Sequence, residues 1–482
     1  MRLLVSSSIL FLYLFSACVK TEEADLVVHN GKILSFNEQN ELFEAMAIKD
    51  GKIIELGAEH EIMNRYLAAE NVDLKKQFVM PGLIDNHAYF MEYGHLLTSF
   101  DLRDYSSLEN FRTKAKLDKE SEIIFGFGWN EDWFSGLSVP DLEIMDSLFP
   151  NKAIYLKHEW GFKGLVNSQC IAEFNLESSK SVIKDADLEK MDDWKDQDIL
   201  ENLAKVYAKA ETACLKRGLV ASSNFGLNLK VYSKLKEFLE NSESNIQQAL
   251  YLKNGDEEFK YLIDHRDTSA VYALLGINEY MPIDIIKLKQ LSTRAMLLRE
   301  SERQLVLHGF GPAGANQSLD LLNELLGDVN DLRWRLENAH SIPRRRLNQF
   351  RKNTIIPGLV PLQANPDMDV NSEALYFAYG ALYNENKILS IGSSMPVSEN
   401  NPWLAISRLV SAKNFDNEKA LRAMTSWAAL ARFKEDELGS LESGKQASFL
   451  ILKANPLNMT QEALSGVEPL STWIKGKKLY SN

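Results

Sequence analysis

The chain has 482 residues, 45% of them hydrophobic, and a formal net charge of -13 at pH 7. That length and apolar share suffice for one large α/β domain with a smaller module beside it. The acidic balance offers no basic track for phosphates and speaks against nucleic acid as a partner.

At the N-terminus, Met1-Arg2 gives a positive start, Leu3 to Phe15 a short apolar run, and Ser16-Ala17-Cys18 a small-residue cleavage site. The run is too short to span a bilayer comfortably. The segment resembles a bacterial lipoprotein signal with the lipobox Leu14-Phe15-Ser16-Ala17-Cys18. That resemblance implies removal of residues 1–17, lipidation of Cys18 and a membrane-anchored place in the bacterial cell envelope. A plain export signal with an incidental cysteine is the other reading. Residues 18–24 are expected to form a tether, with Lys20, Glu22, Glu23 and the adjoining Asp25 solvated. The remaining cysteines, Cys170 and Cys214, lie far apart and lack C-x-x-C spacing, so they read as buried apolar residues.

Two apolar runs follow, Asp25 to Leu34 and Ala45 to Gly57, broken by Asn30-Gly31 and Asp50-Gly51. Such dipeptides signal hairpins. The far end has the same style in Ala447 to Leu452 and Ser471 to Tyr480, so residues 25–80 and 436–482 are expected to close into one small β module. Between them, over 81–435, short apolar strands alternate with helical stretches, the pattern of parallel strands joined by helices. Strands are expected at Ile123 to Phe127, Ala153 to Leu156, Leu219 to Ser222, Gln248 to Leu252, Val271 to Leu275, Gln304 to His308, Trp334 to Leu336, Ile355 to Pro361 and Ile388 to Ile391. Helical periodicity is clearest over Ile199 to Arg217, Ser318 to Leu326 and Asn417 to Phe433.

The stretch Met80-Pro81-Gly82-Leu83-Ile84-Asp85-Asn86-His87-Ala88-Tyr89 joins the two regions. Side chains two apart on a strand share a face, so Asp85, His87 and Tyr89 are expected to project together into a barrel mouth. With the landmarks Gly126 to Asn130, Val166 to Ser168, Leu307 to Gly311, Leu336 to His340, Ile391 to Val397 and Leu438 to Lys445 in order behind it, the chain resembles the amidohydrolase superfamily from about residue 24 onwards. The branch of N-substituted formamide deformylases is the nearest in style. The resemblance implies a distorted (β/α)8 TIM barrel with a β-sandwich made from both chain ends. It also implies hydrolysis of a carbon–nitrogen bond in a small amide-like substrate, by water activated on one or two divalent metals.

Carried over residue by residue, the His-x-His of the first strand gives His87 and Tyr89. The bridging lysine falls near Tyr272, and the next metal histidine matches His308. The Glu-His pair appears as Glu337-Asn338, and the catalytic aspartate as Ser394. Pro312 and Asn224 replace acidic residues, and Phe162 a histidine. The resemblance therefore implies metal ligation by His87 and His308, in a pocket with Tyr89, Tyr272, Glu337, Asn338, His340 and Ser394. No residue is assigned as catalytic, and the cofactor is one divalent ion, zinc first, or none. His95, His158, Glu159 and Asp85 read as hydrogen-bonded or surface groups. Trp129, Trp133 and Trp160 read as pocket or core. Three functions stay open: a hydrolase with impaired or rearranged metal chemistry, a catalytically inactive lipid-anchored barrel that binds a small ligand or a protein, and an inert structural lipoprotein.

Overall fold

The computed structural model describes residues 22–115, 123–134, 138–282, 284–327, 329–352, 354–363, 372–410 and 415–482. The signal segment and Cys18 lie outside the described residues.

The central element is an eight-stranded parallel sheet. Its strands are β1 (Leu83–Asp85), β2 (Leu219–Leu227), β3 (Gln247–Leu252), β4 (Tyr272–Tyr280), β5 (Gln304–His308), β6 (Arg335–Glu337), β7 (Ile356–Leu359) and β8 (Ser390–Ile391), paired in that order. Their side chains are almost all buried, as parallel strands covered by helices require. The two ends of the sheet meet where Ser394 N–H donates to the His87 carbonyl at 2.7 Å. The fold is a TIM barrel of the distorted (β/α)8 kind.

Strands from both chain ends make a six-stranded sheet, ordered Lys477–Ser481, Ser471–Ile474, Phe449–Leu452, Phe78–Pro81, Lys32–Leu34, Leu42–Phe43. A four-stranded sheet of N-terminal strands faces it, and Leu26, Val28, Ile48, Phe449 and Trp473 fill the space between. Asp50-Gly51 makes the expected tight hairpin, both residues at positive φ (50° and 72°) between paired Lys49 and Lys52.

Several expectations are corrected. Glu22 and Glu23 belong to a strand, Glu22–His29, that pairs with Tyr66–Asp73, so the tether reading does not extend to them. Asn30-Gly31 is no hairpin, since the strands it joins lie in different sheets. The strands over 123–127 and 153–156 are not in the barrel wall. They form, with Phe100–Asp101, Gly164–Val166 and Val182–Ile183, a separate five-stranded sheet inserted between β1 and β2. The helix over 199–217 begins afresh at Leu203 after a break at Asn202, and the one over 417–433 is two helices, Asn417–Arg422 and Ser426–Ala431. Among the described residues no helix is long and apolar enough to cross a membrane.

Candidate functional site

The C-terminal ends of the barrel strands open into a cavity of about 290 Å³. His87, two residues past β1, and His308, the last residue of β5, lie in its floor, 3% and 1% exposed. Their rings are 4.9 Å apart and nearly perpendicular. His87 Nδ1 lies 2.7 Å from Glu337 Oε2, and the other Glu337 oxygen accepts from Arg335 Nε at 2.8 Å. Arg335 also donates to the Asn86 carbonyl at 2.6 Å. Burial alone would raise the Glu337 pKa, but the charges of Arg335 and His87 override it and hold the carboxyl down at about 2. His308 is held well below the ordinary imidazole value, first by burial and then by the neighbouring His87, so its ring is neutral at pH 7. Its Nε2 has no hydrogen-bond partner among the described residues.

Neutral groups stand beside the two histidines, and Glu92 and Glu279 also line the cavity. The Tyr89 and Tyr280 hydroxyls hydrogen-bond to each other, and the Tyr280 ring lies 4.7 Å from that of His308. Burial raises both phenols, Tyr280 to about 12 and Tyr89 well above 10, so neither ionises near neutrality. Asn338 donates to Gln363 at 3.4 Å, and Gln363 donates to Ser394 Oγ at 2.8 Å. Asn338 and Ser394 are held at φ 58° and 60°, unusual backbone positions that recur at functional sites. Trp160, Phe162 and Phe310 stand in the wall, with Lys157 and Lys253. Lys157 is paired with Asp192 at 2.5 Å.

The structure gathers His87, Tyr89, His308, Asn338 and Ser394 on the cavity and places the others differently. Tyr272 is not in the pocket: it starts β4, and its hydroxyl donates to Glu240 at 2.6 Å. The residue of β4 level with His308 is Tyr280, which lines the cavity. Glu337 lies under the floor, bound to His87 and Arg335. His340 is outside the lining, packed beside Tyr379 at 6.3 Å. Asp85 does not share the mouth with His87, because its carboxylate turns to Ser393, accepting from Oγ at 2.5 Å and from the backbone N–H at 3.1 Å. Trp129 and Trp133 are core, and only Trp160 reaches the cavity. His95 and His158 pair with Asp198 at 2.7 Å and Glu131 at 3.1 Å. Cys170 and Cys214 are free and buried.

Sequence reasoning missed Tyr280 and Gln363. The alternation Asn278, Tyr280 before Met281-Pro282 is the one signal that a strand end lay there; Gln363 left none. The described residues around the cavity do not make the ligand set of a divalent metal. Among the described residues no group of three or more His, Cys, Asp or Glu side chains is placed to hold one. A catalytic zinc ordinarily takes three such ligands.

Comparison with known proteins gives the same architecture. The sequence profile of the Amidohydrolase family matches residues 70–480. Protein LONG AFTER FAR-RED 3 of Arabidopsis thaliana is 24% identical, over 95% of this chain and 92% of its own length. Putative amidohydrolase YtcJ of Bacillus subtilis (strain 168) is 20% identical, over 94% of this chain and 98% of its own. Among solved structures, an uncharacterized metal-dependent hydrolase from Pyrococcus horikoshii OT3 superposes with a TM-score of 0.76 at 20% identity, covering 91% of this chain and 99% of that one.

Proposed function

The chain belongs to the amidohydrolase family, and from that premise we propose that its barrel mouth takes a small amide-like molecule while metal-assisted hydrolysis of the carbon–nitrogen bond is impaired. One observation carries this reading: around His87 and His308 the cavity presents the neutral groups Tyr89, Tyr280, Asn338, Gln363 and Ser394. These offer the donors and acceptors that an amide's carbonyl and N–H require. Two imidazoles are too few for a catalytic zinc, and a serine hydroxyl at position 394 does not shuttle protons near neutral pH as a carboxylate does. The buried carboxylate beside the two histidines, Glu337, is committed to Arg335 and His87, and Glu92, on the cavity lining, is paired with Lys195.

A second reading, a hydrolase with a rearranged metal site, is favoured by His308, whose Nε2 has no hydrogen-bond partner among the described residues and whose ring lies 4.9 Å from that of His87. Calorimetric titration of the full chain with a panel of small amides, with and without added zinc, separates the two. The proposal expects binding without turnover, weakened by Asn338→Ala. Stoichiometric zinc, with amide hydrolysis that disappears in His308→Ala, supports the second reading and rejects the first.

The proposal extends to location, a lipid on Cys18 that anchors the protein in the bacterial cell envelope. Metabolic labelling with palmitate tests it: label is expected on the native chain and absent from Cys18→Ser, and an unlabelled native chain rejects the anchor.

A further inference from the structure

We propose that two copies of this chain associate edge to edge through the strand Tyr66–Asp73, so that the four-stranded sheet of one copy runs on into that of the other. An open sheet edge presents unpaired backbone N–H and C=O groups that a second strand can take up, and proteins blunt such edges by keeping them short, covering them or placing lysine or proline on them. The other edges of this chain are blunted in those ways. The five-stranded sheet ends on Phe100–Asp101 and Val182–Ile183, two residues each. The six-stranded sheet ends on Leu42–Phe43, also two residues, and on Lys477–Ser481, which opens with two lysines. The far edge of the four-stranded sheet, Lys52–Gly57, is covered where Ile53 exchanges backbone hydrogen bonds with Gly444 and Lys445 at 2.8 and 2.9 Å.

Tyr66–Asp73 has none of these protections. It is eight residues long, holds no Lys, Arg, Gly or Pro, and pairs on one side only, parallel to Glu22–His29. Among the described residues, its backbone from Leu67 to Asp73 bonds to no other segment. Leu67, Ala69, Glu70, Asn71 and Asp73 are exposed, Leu67 to 67%.

The occupant that suits this edge is the same edge of a second copy. Two copies related by a two-fold axis pair antiparallel, and every contact is made twice. With Ala69 on the axis, Ala68 faces Glu70, Leu67 faces Asn71 and Arg65 faces Asp73 of the second copy. Each end of the pairing then sets a cation against an acid. Arg65, its side chain 53% exposed, meets Glu55 through Nη1 alone, and Asp73 accepts from Asn30 and from the Lys75 backbone through Oδ1 alone, so each keeps atoms for the second copy. No carboxylate stands directly opposite another. The two Glu70 side chains fall on the diagonal, roughly 7–8 Å apart. Glu22, Glu23 and Asp25 stand one strand behind the edge, where Glu22 feels the charge of Arg65, Glu23 pairs with Lys49 at 3.8 Å and Asp25 accepts from the Asp50 N–H at 2.6 Å. None of these residues lines the cavity, so association leaves the barrel mouth open and does not depend on what the mouth binds.

Sedimentation velocity of the full chain in mild detergent, together with disulfide trapping, tests the proposal. The native chain is expected to sediment as a dimer that dissociates on dilution. Leu67→Lys/Asn71→Lys, which sets lysine against lysine on both sides of the axis, is expected to weaken association by about tenfold or more. In a Cys18→Ser background, Ala69→Cys puts the thiols of the two copies on the axis within disulfide reach, and mild oxidation should give a covalent dimer; Asn71→Cys, which faces Leu67, should give little. A native chain that is monomeric at every concentration overturns the proposal. So does a dimer that the paired lysines leave unchanged, or trapping that is equal through Ala69→Cys and Asn71→Cys. Should the lysine variant fail to fold, the two single-cysteine variants, each a small change at an exposed position, still decide.

Discussion

His87 and Glu337 come from opposite sides of the barrel's strand order and meet at 2.7 Å, both nearly inaccessible to solvent. The contact joins β1 to β6 and places the Arg335 guanidinium behind the carboxylate. Removing the carboxylate would leave that guanidinium buried and unpaired. Glu337→Leu is therefore expected to lower the unfolding free energy by about 3–5 kcal/mol, measured by urea denaturation.

The same pair sets an acid limit. With the folded pKa of Glu337 lowered to about 2 from an ordinary 4.5, its contribution is fully present above 4.5 and lost as pH falls towards 2. Stability measured between those limits should fall less steeply in Glu337→Gln than in the native chain. Equal slopes would mean the pair does not hold the carboxylate.

Asp85 titrates with the opposite sign. Burial raises it to about 6, against the opposing hydrogen bonds from Ser393 and His87. A raised folded value stabilises below the ordinary 3.8 and is lost as pH rises through 6. Asp85→Asn, which keeps the acceptor oxygen and cannot ionise, should gain stability relative to the native chain on going from pH 4 to pH 7. Denaturation at the two values checks it.

The neutral floor makes a prediction about metal. Zinc titrated into the native chain should show no tight stoichiometric site. The variant Tyr89→His/Asn338→His/Ser394→Asp, which adds two imidazoles and a carboxylate beside His87 and His308, should acquire one. Tight binding by the native chain would overturn the neutral-floor argument.

Gly392 is required by close approach. A Cβ there would lie 2.4 Å from the His87 backbone nitrogen and 2.5 Å from Asp85 Oδ1, both fixed groups. Gly392→Ala is expected to destabilise the chain by about 1–3 kcal/mol, with loss of amide binding at the mouth. Thermal denaturation and calorimetry report the two effects.

The sequence by itself determined parallel strands joined by helices, because apolar strands alternating with helices have few other ways to bury both faces of a sheet, and its family resemblance implied that the sheet closes into a barrel. It also placed His308 at the end of a barrel strand and His87 just past the end of another, since each stands where an apolar run gives way to polar residues. Only the tertiary structure decided what surrounds them. Whether Tyr272 or Tyr280 faces His308 depends on where β4 ends, which the pairing with β5 sets. Asp85 was expected beside His87 from period two alone, but the regular strand stops at Asp85, and Ser393, 308 positions away, claims its carboxylate. The bonds of Glu337 to His87 and of Gln363 to Ser394 likewise join residues far apart in the chain. Local periodicity carries no information about such pairs, because they exist only once the strands have closed around a common axis.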